Sequence, residues 1–479
     1  MSNSAVPPVL FKNSVEAAQD DRFAAVAGSL IGAAVGDALG WCTEFVRGAD
    51  HLRKIYRTDY VADFRSWQKR SGGRFNAYID YINRGEYSDD TQLTLAVARS
   101  LLGDGAINVN HFAKVEMPLW LDYARGAGST ITAAARALQR RSTKWNSNFF
   151  GYKHRGEQRG YRIAGANGAA MRIGPIALAN LHNQQRAYVG TWKNAITTHG
   201  HPRAILAALL HTEAVRVCAS TAHGLTADRL LDGLGKFIAS VVIPNEAGIQ
   251  EWLVRWDQET PQPFEAKWEA CKDEVLRGLS IIHEGKSREH IHPTMERLGC
   301  FEPATKGSGT STVLAGLLIF KILGDDFRAA ILEAVNALGS DTDTIAGFVG
   351  GLCGATHGYE NVPHDWATEL QDYDYFMRVA TELDRISAGK GIGGPAILPE
   401  RRGGLRDLPD LVHRLKTHEI ARGERVYHEL FGAGWVESVD AQMLNRKDGA
   451  QIVLASVRFD IGQSCKFRFM QIPRRRRAA

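Results

Sequence analysis

The chain has 479 residues, 44% of them apolar and 23% charged, a balance that excludes wholesale disorder and leaves ample length for a full core. Its net charge is +5, and four of those charges are the run Arg474 to Arg477. Taking that run away leaves +1, so the body is not built as a basic surface for nucleic acid or membrane.

No basic stretch followed by an apolar core opens the sequence, so no signal peptide is expected, and six cysteines without a C-x-x-C pair are expected as reduced thiols in the cytoplasm. Phe23 to Gly40 reads as the first helix. Its most apolar part, Phe23 to Val35, falls short of the about 20 residues of a membrane span and is followed by Asp37, so no membrane partner is expected. Helical periodicity then recurs at Thr91–Leu102, Ala169–Leu181, Pro202–Ala219, Ala227–Val241, Thr312–Leu323, Phe327–Leu338 and Ile345–His357. Alternating strand patterns are nearly absent before residue 400, which predicts an all-α body over residues 15–390, a compact orthogonal arrangement of helices. Ser387 to Pro395 and Arg401 to Gly404 read as linkers. Residues 400–473 read as a small α+β appendage: a helix over Asp410–Arg422, strands at Gly434–Val439 and Gln451–Phe459 around a turn at Lys447-Asp448-Gly449, and a third strand at Lys466–Met470. A basic tail, 474–479, closes the chain.

Two short acidic segments each precede an apolar helix: Ser88-Asp89-Asp90-Thr91-Gln92 and Ser340-Asp341-Thr342-Asp343-Thr344. Either one alone reads as a helix cap, since hydroxyls and carboxylates satisfy free amides and complement the positive helix end. The pair asks for more, because a cap needs one oxygen and each segment offers three or four. Brought together, the two would repel unless a cation lay between them. An oxygen-only donor set favours Mg²⁺, Mn²⁺ or Ca²⁺, and two such ions can activate a water or polarise hydroxyls.

Glycines 28, 32, 36 and 40 recur every four residues on one face of the first helix, and Gly350, Gly354 and Gly358 repeat the spacing after the second acidic segment. Each costs about 1 kcal/mol relative to alanine in a helix interior, so the stripe predicts a seam where two backbones touch. That packing would bring Asp37 or Glu44 toward the acidic segments. For Asp37 a buried helix-anchoring carboxylate is the expectation; for Glu44 a role in the site is equally open. Arg125-Gly126-Ala127-Gly128-Ser129-Thr130 and Gly307-Ser308-Gly309-Thr310 each precede a helix and have the form of anion-cradling loops. Gly165 to Arg172 forms a tight segment with an amide at Asn167, and His199 precedes another helix start.

Together these segments resemble, in order and spacing over residues 22–360, the ADP-ribosylglycohydrolase family. The matching pieces are Gly32–Gly40 with Glu44, Gly85–Leu95, Gly126–Thr130, Ala166–Arg172, Thr198-His199 and Ser340–Ala346. The resemblance implies a helical fold and a pair of Mg²⁺ or Mn²⁺ ions held by Ser88, Asp89, Asp90, Asp341, Asp343 and Thr344. It implies Glu44, Asp89 and Asp90 as the catalytic carboxylates, Gly126, Gly128 and Ser129 at the diphosphate, and Asn167 and His199 at the ADP-ribose. The implied activity removes ADP-ribose from a modified protein or small molecule. The alternative is a non-catalytic ADP-ribose-binding or immunity-type protein that blocks an ADP-ribosyltransferase. A solvated tail is preferred to a nucleic-acid-binding one. Trp41-Cys42-Thr43 stands where the family often has a proline-containing loop, the segments Trp67–Tyr87 and Pro244–Thr305 are long, and the C-terminal 80 or so residues lie outside the resemblance.

Overall fold

The computed structural model describes residues 14–472 apart from 74, 155, 222–223, 400–406 and 418. The second linker reading, Arg401 to Gly404, and the basic tail lie outside the described residues.

The helices that bear on the site are α1 (Ser14–Gly40), α2 (Asp89–Arg99), α3 (Ser129–Leu138), α4 (Pro202–Ser220), α5 (Gly309–Leu323), α6 (Thr342–His357) and α7 (Tyr373–Ser387). At the centre, α1 runs against α6, with α4 packed on both, α5 on α6 and α7 on α1. The glycine stripe is the reason the central pair sits so close. A Cβ on Gly32 would lie 2.3 Å from the Gly350 carbonyl oxygen, and one on Gly350 would lie 2.1 Å from that of Gly32. At the end of the seam a Cβ on Gly40 would lie 2.5 Å from the Thr342 oxygen, in the first turn of α6. Thr43 and Thr342 lock this end: the Thr43 hydroxyl donates to the Val335 carbonyl (2.7 Å) and the Thr342 hydroxyl to that of Gly40 (3.0 Å). The C-terminal end of α1 and the N-terminal end of α6, each followed or preceded by carboxylates, are therefore held in register.

The 21-residue stretch Asp20–Gly40 is, by length and composition, apolar enough to cross a bilayer, which corrects the expectation that it is too short. In the fold it is the core helix, with 83% of its most apolar window buried. All six cysteines are buried and free.

The body is not purely helical. Two antiparallel hairpins interrupt it, β1 (Trp67–Ser71) with β2 (Tyr78–Ile82), and β3 (Gly151–His154) with β4 (Glu157–Gly160). Strands β1, β3 and β4 run through mostly polar sequence, and β1 alternates half-buried and exposed residues, while β2 is largely apolar with Tyr78, Asp80 and Ile82 buried. A search for apolar alternation passes over β1, β3 and β4. Ser387 to Pro395 is no free linker either. Gly389 and Gly393 take left-handed φ values of 71° and 85°, the Glu382 carboxylate accepts the amides of Ile392 and Gly393, and the Gly394 amide reaches the Leu101 carbonyl at 2.7 Å. The glycines make a tight return that docks the chain back onto α2.

Beyond it, a short helix (Leu411–Thr417) and four antiparallel strands, β5 (Arg425–His428), β6 (Gly432–Met443), β7 (Gln451–Phe459) and β8 (Ser464–Gln471), form one sheet in the order β5-β6-β7-β8. One face of the sheet joins the helical core: Phe431 and Phe467 pack around Tyr123, with ring centroids 5.0 and 6.0 Å away. A buried ion pair ties the two parts. Arg99, the last residue of α2, forms paired bonds to Glu116 (2.9 and 2.8 Å) and a third to Gln463 of the β7–β8 turn (2.8 Å). Both charges are fully buried. Truncating Arg99 to methionine is expected to cost about 3–5 kcal/mol in denaturant unfolding, because Glu116 would remain charged and buried with its principal partner gone.

Candidate metal centre and its surroundings

Helix α2 starts where it does because its orphan amides are satisfied twice. The Ser88 hydroxyl accepts the Asp90 amide (3.2 Å) as the cap. From α1, the Asp37 carboxylate accepts the amides of Ser88 and Thr91 (both 3.1 Å) and the Thr91 hydroxyl (2.5 Å). Asp37 is thus the buried helix anchor expected of it. With these groups doing the capping, neither Asp89 nor Asp90 is needed for it. Helix α6 differs: Asp341 occupies the cap position but makes no side-chain cap bond, and its Oδ2 accepts from the Asn167 side-chain amide at 3.1 Å. The capping explanation therefore covers Ser88 and fails for Asp341.

The two acidic segments, more than 250 residues apart in sequence, meet directly. The Thr344 hydroxyl donates to Asp90 Oδ2 at 2.7 Å. Glu44, from the turns after α1, presents a carboxylate oxygen within 4.8 Å of those of Asp341 and Asp343. Asp343 and Asp89 are buried, while Asp90, Asp341 and Glu44 are half-buried.

So many carboxylates in one place resist ionisation. Burial first, then the charges of its neighbours, push Asp89 up to about 7 and hold Glu44, Asp90 and Asp343 well above the usual carboxylate range. Opposing charge comes from Lys69 of β1, which lowers Glu44 and Asp89. A cage of five carboxylates that repel one another, opposed by Lys69 and Lys306, suits hard divalent ions, Mg²⁺ or Mn²⁺, rather than zinc or copper. The donor set thus fits such ions.

This electrostatic state has a measurable consequence. Carboxylates raised above their unfolded values stabilise the metal-free fold below about pH 4, and that contribution is lost as pH climbs through the folded values, near 7 for Asp89. Divalent ions bind the ionised form and relieve the repulsion. The rise in Tm on replacing EDTA with Mg²⁺ or Mn²⁺ is therefore expected to be large at pH 8 and to vanish near pH 5, as thermal melts across that range will test.

The Gly126 loop lies beside the cage. Gly126 has φ +84°, and a Cβ there would meet Asp89 Oδ1 at 2.7 Å and Trp41 Nε1 at 3.3 Å. Gln92 explains its place in the acidic motif: its side chain accepts the Trp120 indole (3.0 Å) and the Arg125 amide (3.2 Å) and donates to the Tyr123 carbonyl (3.1 Å), pinning the loop to α2. Gly128 and Ser129, at the start of α3, are exposed, and no side chain caps that helix.

Asn167 touches the acidic cage, and His199 lies behind it. Asn167 donates its side-chain amide to Asp341, so it orients a carboxylate. His199 is buried beneath Gly168, whose Cβ would lie 2.8 Å from its ring, and its Nδ1 shares a 2.8 Å bond with the Thr198 hydroxyl. Burial, with Arg172 adding to it, lowers its pKa to about 3, so it is a neutral support for the Asn167 segment. The second glycine loop, Gly307–Thr310, is no open cradle. Its chain pairs with residues 165–167, Ser308 caps α5, and Thr310 donates to Glu274.

The ADP-ribosylglycohydrolase family profile matches residues 18–391. The chain belongs to this family. Among relatives, it is 25% identical over 371 residues to the ADP-ribosyl-dinitrogen reductase glycohydrolase of Rhodospirillum rubrum, covering 76% of this chain and 96% of that protein. It is 24% identical to the ADP-ribosylarginine hydrolase Tri1 of Serratia proteamaculans (74% and 78% covered) and 26% identical to the mouse ADP-ribosylhydrolase ARH3 (63% and 77%). A solved structure described as an ADP-ribosylglycohydrolase-related protein complex superposes with a TM-score of 0.51 over 77% of this chain and 99% of its own, at 22% identity, a likeness of fold. As a glycohydrolase-family member the chain carries both acidic segments inside the matched region, and the β5–β8 sheet lies outside it.

Residues the sequence reading missed also stand here. Trp41 packs edge-on against Trp67 (centroids 5.3 Å apart), with the Lys69 ammonium 5.4 Å and the Arg125 guanidinium 5.3 Å from its ring. Lys69 belongs to no motif, and only the hairpin brings it in.

Proposed function

We propose that this chain is a hydrolase that releases ADP-ribose from a modified protein or small molecule. Two Mg²⁺ or Mn²⁺ ions would be held by Ser88, Asp89, Asp90, Asp341, Asp343 and Thr344, with Glu44 adjoining them. The observation that carries this reading is the direct meeting of the two acidic segments at Thr344 and Asp90, with the Glu44, Asp341 and Asp343 carboxylates converging beside them. Bound ions of this class supply polarisation of ribose hydroxyls and of a water.

The chain's own groups do the rest. The Gly126–Ser129 loop receives the diphosphate at the exposed start of α3. Asn167, held against Asp341, and His199 beneath it fix the inner wall of the cleft. One carboxylate among Glu44, Asp89 and Asp90 takes a proton from the attacking water as its oxygen bonds to the anomeric carbon. The bond from that carbon to the acceptor breaks, and the acceptor leaves with that proton, returned by the carboxylate. Both acidic segments are retained entire, which favours hydrolysis over passive blockade of a transferase.

The test is a panel of arginine-linked, serine-linked and nucleobase-linked ADP-ribose, assayed with EDTA-stripped protein and again after adding Mg²⁺ or Mn²⁺. Metal-dependent release of ADP-ribose from at least one linkage is expected. No release from any linkage with metal restored would contradict the reading.

A further inference from the structure

The β1–β2 hairpin is gripped from behind by the C-terminal sheet. Gln442 of β6 bonds both ways to the Ile79 backbone, accepting its amide at 2.8 Å and donating to its carbonyl at 2.7 Å. Arg446 reaches Asn76 at 3.0 Å, and Lys466 of β8 bonds the Tyr81 carbonyl and pairs with Asp80 at 3.6 Å. Tyr78 completes a small separate apolar core with Leu444, Ala450, Ile452 and Leu454 of the sheet.

From this brace the hairpin turns its other strand to the site. Lys69, paired with Asp80 across the strands, lies 4.4 Å from the Phe45 ring centroid and 5.4 Å from that of Trp41. Its ammonium makes no ion pair among the described residues, whereas the neighbouring Arg125 is spent on Asp80 (3.2 Å) and Glu86 (2.6 Å). Below it, Trp41 is fully buried and its indole Nε1 has no hydrogen-bond partner, although it faces Gly126. A buried donor left unpaired is costly, and an uncommitted cation and an orphan indole N–H beside the open start of a helix make a receptor for an anion.

We propose that the C-terminal sheet acts as a brace that holds Lys69, above Trp41, against the diphosphate of the ADP-ribosyl substrate. This rests on the function proposed above and adds a positioning role for the sheet and a binding role for Lys69. A charge-assisted contact of this kind corresponds to about a tenfold change in affinity.

Calorimetric titration of ADP-ribose, in the presence of Mg²⁺, tests it in the full chain. Lys69→Met is expected to weaken ADP-ribose binding by about tenfold or more, and Lys69→Arg to restore it to within about threefold. Removing a cation beside Glu44 and Asp89 should at the same time tighten Mn²⁺ binding, an opposite change that general damage to the fold would not produce. Gln442→Ala should weaken ADP-ribose by about threefold in the wild-type background and have no further effect beside Lys69→Met. Unchanged ADP-ribose affinity in Lys69→Met, or full additivity of the two substitutions, would overturn the proposal while leaving the hydrolase reading intact. Failure of the wild-type protein to bind ADP-ribose at all would overturn both.

Discussion

Asp343→Asn is expected to lower ADP-ribose release by about a thousandfold or more while leaving the metal-free protein at least as stable as wild type at pH 8. The two effects have one cause. Burial, and then the charges of Glu44, Asp341 and Asp90, hold the Asp343 carboxyl well above the usual range. Asparagine keeps the shape and still accepts the Thr344 amide that Asp343 Oδ1 takes at 2.9 Å. It removes one negative charge from a crowded cage, which relieves repulsion without metal and deprives a divalent ion of its ligand with metal. A carboxylate present only as a cap or packing element would show the reverse: lower stability and near-normal turnover. Melting curves in EDTA and initial rates in Mg²⁺ separate the two.

The second large effect is expected in the seam. Gly32→Ala should cost about 3 kcal/mol or more in denaturant unfolding, against the gain of about 1 kcal/mol that alanine brings to an exposed helix interior. The new methyl would land 2.3 Å from a carbonyl oxygen of α6, and backbone inside a packed helix pair has no rotamer to change. Gly233→Ala supplies the comparison. Gly233 is exposed in the helix Ala227–Ser240 with nothing within 4 Å of a Cβ, so this substitution should be neutral or stabilising. Opening the seam also moves the start of α6, so Gly32→Ala protein that still folds should bind Mn²⁺ more weakly.

These expectations show which features a sequence can disclose. The four-residue glycine spacing and the two acidic helix starts are local and periodic, and the physical demands behind them, close backbone approach and a counter-ion for crowded carboxylates, can be stated from residue types alone. What sequence could not show was assignment of partners. The Asn167 side-chain amide bonds Asp341, and the His199 ring lies under Gly168. Asn167 and Asp341 stand 174 positions apart, a contact that no local motif discloses. The glycines of 389–394 read as slack chain, yet two of them supply the left-handed φ of an anchored turn. Lys69 was silent because β1, Trp-Gln-Lys-Arg-Ser, carries no apolar alternation and its importance comes from a sheet that begins more than 350 residues later.

Glycine-mediated contact of α1 and α6 brings the carboxylates into one cage, proposed to hold a pair of divalent cations. Calorimetric titration of the EDTA-stripped chain with Mn²⁺ at pH 8 measures it most directly. Two bound ions per chain, with binding lost in Asp341→Asn, is the predicted result; no saturable binding, or the same binding in the variant, would contradict it.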